Sequence, residues 1–422
     1  MTLPEKLNLS PEERLLLICA RLDLSQAQRN ELDSLVGTSL RWEKVLYRAQ
    51  WHGLTGLVFH HLKSLGNWQL VASEVRDQLR AAYLANGDKN FQGRAELTQV
   101  LAALEERDIP VILLKGAALS EEVYRDICLR PMADLDLLVP EEKAHVAQGI
   151  VQGLGYHQVG TTEEQEDTTR HHRHLPGLAH NGKPVLVEIH RHVVRRDSGL
   201  HFDIEGLWER ARSAEVAGRP ALVLAPQDQV IHLCLNFFVD RGFRSQAALR
   251  QLCDVAESIR CYDSPFFWDQ LTDQVEEYNL AGPVSCVLYA AQRLLEAPVP
   301  QKVVQQLWPP GFEEASVRSY LRRRVLDARP WVARSLARPG SEYRWSDVAA
   351  SALGRLVPKR QYMARRRHRA NTGISVSQLY LARIWQGVGI LFRAAMRPCE
   401  MKEDLSIDRW IHSLLPARGE LS

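Results

Sequence analysis

The chain reads as an α+β protein in which a small mixed sheet is embedded between mainly helical N- and C-terminal regions. Three observations lead there. Apolar runs of strand length occur at Pro110–Leu114, Ala133–Val139 and Pro184–Ile189. The second and third carry acids that alternate with apolar residues, as on a sheet whose two faces differ. The flanking stretches carry helix-capping signals and apolar residues at helical intervals.

Residues 1–108 are expected to be helical and structural. Ser10-Pro11-Glu12-Glu13 combines an N-cap, a first-turn proline and a glutamate at the third helical position, and Ser25 with Gln28 repeats the capping-box spacing. Trp42, Leu46, Ala49, Leu54, Leu57, Val58 and Leu62 suggest a helix pair packed on the core.

The core is expected over residues 109–200. Pro110–Leu114 predicts a short buried strand, and Lys115-Gly116-Ala117-Ala118 turns it into a helix running to about Tyr124. Glycine at that turn lets a phosphate approach backbone N–H groups at the positive end of a helix. Arg130 follows, and then Asp134-Leu135-Asp136 inside an apolar strand. Two acids one residue apart project from one face of a strand and can hold divalent cations through hard oxygen ligands. The same spacing also fits an ordinary strand whose polar face is acidic. A cation beside a phosphate-binding turn and a carboxylate pair form an ordered set of parts for nucleotidyl transfer, a chemistry of positioning and charge stabilisation.

The stretch from Leu114 to Tyr156, with its Leu-Lys-Gly-Ala-Ala-Leu, Val-Tyr, Leu-Arg-Pro-Met-Ala-Asp-Leu-Asp-Leu-Leu-Val and Gly-Leu-Gly-Tyr segments, resembles the uncharacterised nucleotidyltransferase family within the polymerase-beta-like superfamily. Gly116-Ala117 departs from the superfamily's more general glycine followed by Gly or Ser, while matching the family's own Lys-Gly-Ala form. The resemblance implies a third acid followed by His on a later strand, and Val187-Glu188-Ile189-His190 fits. It implies Asp134, Asp136 and Glu188 as catalytic and metal-binding residues, with Mg²⁺ or Mn²⁺ as cofactor. In it Glu188 helps bind metal or accepts the proton of an attacking hydroxyl. Lys115, Gly116, Ala117, Arg130 and His190 make up the nucleotide-binding set, His190 being equally readable as a structural histidine. The similarity extends to Ile231–Leu235 and Leu252–Ala256, helices that the family places behind its active site. Asp254 then either steadies an active-site arginine or caps a helix, and the cap is the favoured reading.

His171-His172-Arg173-His174 lacks cysteine partners and fits no usual zinc spacing, so it reads as a polar loop bordering the pocket, with His174 reaching phosphate or substrate. Gly177-Leu-Ala-His-Asn-Gly182-Lys183 imitates a phosphate-binding loop, but Pro184 stands where a Ser or Thr hydroxyl would be needed. Asn181-Gly182 reads better as a hairpin turn.

Residues 201–300 are expected to be helical and packed on the core, with helices from Ala225-Pro226 to Phe238 and from Gln246 to Ile259. Residues 301–422 form a basic helical C-terminal region. From Arg318 to Arg369 fifteen Lys or Arg stand against three acids, in a chain whose total charge is +2. That segregation suggests a nucleic acid or anionic surface as partner, and solvated helix faces are the plainer alternative. Val376–Met396 reads as a core helix, its rival being a helix lying on a membrane surface. Seven cysteines without a Cys-x-x-Cys pair, no apolar leader and no run long enough to span a bilayer point to a cytoplasmic protein.

The expected activity is metal-dependent transfer of a nucleoside monophosphate from ATP or another nucleoside triphosphate to a small molecule, a protein or RNA, with release of pyrophosphate. The alternative is a non-catalytic nucleotide- or nucleic-acid-binding module, such as a toxin-system component or assembly partner.

Overall fold

The computed structural model describes residues 7–160, 162–195, 198, 200–241, 247–309 and 312–326, with 406, 407, 410, 411, 413 and 414. Val376–Met396 and the basic segment beyond residue 326 lie outside the described residues. Two compact units divide the chain, Met1–Ala328 with Leu414–Ser422, and Arg329–Ser413. The elements below all belong to the first.

Helices α1 (Pro11–Cys19), α2 (Gln26–Val36), α3 (Trp42–His52), α4 (Thr55–Lys63) and α5 (Ser73–Glu105) precede any strand. Both expected capping boxes form: Ser10 with Glu13 at the start of α1, and Ser25 with Gln28 at the start of α2. Each satisfies two otherwise orphaned backbone groups.

The chain then enters the sheet. Strand β1 (Ile112–Leu114) turns at once into α6 (Lys115–Leu119), which widens into a π-type turn over Ser120–Tyr124. Next come β2 (Asp134–Leu138), α7 (Ala144–Gly153), β3 (His157–Gln158), α8 (Thr162–His171), β4 (Leu178–Ala179) and β5 (Leu186–His190). After α9 (Ile204–Arg210), a hairpin adds β6 (Arg212–Val216) and β7 (Arg219–Val223). Helices α10 (Pro226–Leu235), α11 (Ala248–Tyr262), α12 (Pro265–Glu277) and α13 (Ala281–Leu295) then pack on one another.

The seven strands form one mixed sheet in the order β3-β4-β5-β2-β1-β7-β6. Strand β2 runs parallel to β5 and antiparallel to β1, while β1 runs parallel to β7. The fold is therefore α+β, a mixed sheet with helical flanks. The β6–β7 hairpin comes from a stretch the sequence suggested was helical; it closes through Ala217-Gly218, both at positive φ, as a tight two-residue turn requires.

Side-chain alternation gives the sheet a rear and a front. Leu113, Leu135, Leu137, Val187 and Ile189 point rearward into a core shared with α5 and α7, and each is fully buried. Asp134, Asp136, Glu188 and His190 occupy the front. Among the described residues no helix is long and apolar enough to cross a membrane.

Candidate active site

Parallel pairing of β2 with β5 sets Asp136 opposite Glu188 and Leu138 opposite His190, and Asp134 opposite Leu186. Carboxylate and imidazole donors of Asp136, Glu188 and His190 consequently lie within 4.8 Å of one another. Asp136 is 1% exposed, and its Oδ1 accepts from Lys115 Nζ at 2.6 Å and from His190 Nε2 at 2.8 Å. Its Oδ2 is buried with no hydrogen-bond partner among the described residues. Burial opposes ionisation of Asp136, but the Lys115 ammonium and the His190 bond outweigh it and hold the carboxyl well below its usual range. Asp134 goes the other way: burial and the charge of Asp136 raise it. Glu188 is lowered, because His190 and His174 outweigh its burial.

The turn beneath this cluster is tightly built. Lys115 sits at φ 48°, a left-handed conformation that costs an L-residue about 1 kcal/mol or more. A Cβ on Gly116 would lie 2.7 Å from Arg130 Nη1, so only glycine leaves room for that guanidinium. Arg130 is itself engaged: Nε and Nη2 donate to the two carboxylate oxygens of Asp254 at 2.8 and 2.9 Å. Tyr124 donates to the same Asp254 at 2.7 Å. Asp254 lies inside α11, away from its ends, and steadies Arg130 instead of capping a helix. The cap reading fails because a buried carboxylate within a helix must find a charged partner across the interface.

Sequence reasoning missed Asn90. Its amide donates to the carbonyls of Ile127 and Arg130, both at 2.7 Å, and accepts from Met132 N at 3.1 Å. One side chain of α5 thus shapes the loop that leads into Asp134. A faint signal existed in Gly87-x-x-Asn90-x-x-Gly93, since glycines inside a helix mark close approach of another segment. A Cβ on Gly87 would collide with Cys128 Sγ in that loop.

His174 joins the site through an isolated bridge to His190. Its Nδ1–H donates to Leu175 O at 2.7 Å, which leaves Nε2 facing Glu188 Oε2 at 3.7 Å. Burial pushes its pKa down to about 4 against the pull of Glu188. His172 meets it edge to face, with ring centroids 5.4 Å apart. His232 of α10 is wholly buried and held neutral by burial and by nearby Lys115 and Arg173. Lys183, by contrast, lies over the Tyr156 ring and reaches Gln99, and a strand follows it, so the loop imitating a phosphate site is a turn.

Two hard carboxylates, one of them with an orphaned buried oxygen and its other oxygen held by an imidazole N–H, fit a divalent cation. Fold and site together define an α+β protein with a buried acid–imidazole cluster on the front of its sheet. The sequence profile of the family described as uncharacterised nucleotidyltransferase matches residues 38–296, well over half the chain, and the chain belongs to that family. No curated protein matches it. The family name indicates nucleotidyl transfer, hence a transferase with a nucleoside triphosphate as substrate.

Proposed function

We propose that the protein is a Mg²⁺-dependent nucleotidyltransferase that moves a nucleoside monophosphate from a nucleoside triphosphate to an acceptor hydroxyl, phosphate or similar nucleophile. The acceptor oxygen forms a bond to the α-phosphorus, the bond to the β-phosphate oxygen breaks, and pyrophosphate leaves. The observation that carries this reading is the register that sets Asp136 beside Glu188 and His190, with the Lys115 ammonium on the same carboxylate.

Asp134, Asp136 and Glu188 would hold the metal. When bound, the ion would neutralise phosphate charge and polarise the α-phosphoryl group. His190 orients Asp136 through its Nε2–H and keeps one carboxylate oxygen committed while the other stays available. Lys115, the adjacent cation, neutralises phosphate charge, and Gly116 with Ala117 brings backbone close to it. Arg130 acts through structure, since its bidentate pairing with Asp254 fixes the floor of the turn. If a hydroxyl is the nucleophile, Glu188 accepts its proton.

Within the basic segment, Arg322 pairs with Glu13 at 2.9 Å and Arg324 is buried, so these two side chains serve the fold.

The test is pyrophosphate release from a panel of four nucleoside triphosphates with Mg²⁺, with calorimetry of nucleotide binding alongside. Glu188→Gln should reduce turnover far more than nucleotide affinity, because proton abstraction matters in the transition state. Undiminished release by either Asp134→Asn or Asp136→Asn would sink the metal assignment. Nucleotide binding without pyrophosphate release would favour the non-catalytic module.

A further inference from the structure

Two guanidinium groups lie side by side below the front of the sheet, and they are compensated very differently. Arg130 is neutralised by Asp254 through both carboxylate oxygens. Arg250, one turn earlier on α11, has no ion pair among the described residues. Its Nη1 donates to the backbone carbonyl of Pro131 at 2.5 Å, and its Nε is buried without a partner. The charged and titratable groups around it are Arg130, Asp254, Tyr124 and Asp134. Asp254 is already spent on Arg130, and Asp134 belongs to the acidic cluster. Burial, with Arg130 beside it, pushes Arg250 down to about 10, the behaviour of a cation short of countercharge.

The position of Arg250 is built. Its stem is wedged between Gly53 and Pro131: a Cβ on Gly53 would lie 3.3 Å from Arg250 Cδ and 3.4 Å from Pro131 Cγ. Gly53 also has φ +68°, so any other residue there would be strained as well as crowded. Pro131 opens the three residues that lead into Asp134, which ties this guanidinium to the catalytic strand. Arg250 is partly buried, with a shielded Nε–H and no hydrogen bond to a carboxylate, and a guanidinium left partly open and under-compensated suits a ligand that brings the missing charge.

We infer that Arg250 is a binding residue for the polyphosphate of the nucleotide, and that the charge Arg130 cannot supply, being paired, is supplied by Arg250. This rests on the nucleotidyl-transfer reading above. Lys115, at the turn, and Arg250, on α11, would then meet the phosphate chain from two sides, with Arg130 as the strut between them. A planar guanidinium suits this task because it can donate two parallel bonds to one phosphate.

The experiment uses the full chain with Mg²⁺ and inorganic tripolyphosphate as the probe, followed by calorimetry and by thermal midpoint. Wild type should bind tripolyphosphate, with affinity falling as salt rises. Arg250→Gln should weaken it by about tenfold or more, and Arg250→Lys should recover part of the loss. Without ligand, the midpoint of Arg250→Gln should equal or exceed that of wild type, and its rise on adding tripolyphosphate should vanish. A lowered ligand-free midpoint with unchanged affinity would make Arg250 a structural strut and overturn the inference, as would absence of tripolyphosphate binding by wild type. If Arg250→Gln does not fold, Arg250→Lys decides alone, and wild-type affinity in that variant counts against the assignment. Pyrophosphate release is measured in parallel. Tripolyphosphate binding that needs Arg250, in a protein that releases no pyrophosphate, upholds this site and sinks the catalytic reading. Release that is indifferent to Arg250→Gln does the reverse.

Discussion

Leu135 and Leu137 alternate with Asp134 and Asp136 along five residues of one strand, yet the two sets live under different physics. On the rear, Leu113, Leu135, Leu137, Val187 and Ile189 are fully buried against apolar neighbours, and their contribution scales with the area they remove from water. On the front, Asp136 is almost as deeply buried but is tolerated only because Lys115 and His190 contact it. The rear is forgiving of one apolar residue for another of similar volume. The front is a set of compensations, and removing any member leaves its partner stranded. Stability thus rests mainly on the apolar rear, and the proposed chemistry on the front.

The largest effect that would test this division is Asp136→Asn. Pyrophosphate release should fall by about a thousandfold, on the order of 4 kcal/mol of transition-state stabilisation. The thermal midpoint should fall too, since Lys115 loses its countercharge. Retained activity would show that the front cluster is not the reaction centre.

On the rear, Leu137→Ala should cost about 2–5 kcal/mol by urea denaturation, the range for a large-to-small change in a packed core. Activity per folded molecule should stay near wild type. A selective loss of turnover at full folding would erase the distinction between the faces.

Buried polar groups far from the front sharpen the comparison, because they should affect stability alone. His61 of α4 is buried, its Nε2–H donates to Arg21 O at 2.7 Å, and burial pushes its pKa down to about 4. The unfolded chain takes up a proton near pH 6.5 and the folded one near pH 4, so stability is lost as pH falls through that window, by about 3 kcal/mol at most. Denaturation at pH 7 and pH 4 in wild type and His61→Gln should show the variant losing less. Equal losses would assign the acid sensitivity elsewhere, with His174 the next group to examine.

The smallest expected effect crosses between the faces. Asn90→Ala removes the bonds to Ile127 O, Arg130 O and Met132 N from a helix behind the sheet. It should cost about 1–3 kcal/mol in stability. Turnover should fall beyond the loss of folded protein, because the loop carrying Arg130 and leading to Asp134 loosens. A stability loss with normal turnover would mean that the loop is held well enough by the Arg130–Asp254 pair.

Much of the front was legible because it rests on local rules. Strand alternation puts Asp134 with Asp136 and Glu188 with His190, and the apolar run before Lys115 announces a strand and turn. The caps at Ser10 and Ser25 are equally local. The β6–β7 hairpin was harder to read, since half of the apolar residues of Arg212–Val223 are alanines and its turn is Ala-Gly, where Asn-Gly or Asp-Gly would have been a clearer sign. Asp254 was open between two readings because a sequence shows a carboxylate but not the guanidinium across an interface, 124 positions away.

Local periodicity and turn chemistry are properties of neighbouring residues, and they are enough to set the capped N-terminal helices and the faces and acid pairs of β2 and β5. Which acids share a space is a matter of strand register, and that depends on β2 and β5 pairing in parallel across the chain that separates them. The same holds for charge. The sequence shows Arg130 and Arg250 as equals, while the packing of α11 against the loop before β2 puts Asp254 on one and a backbone carbonyl on the other. Compensation of a buried charge is decided by what lies within a few ångströms, and only the folded chain brings those groups together.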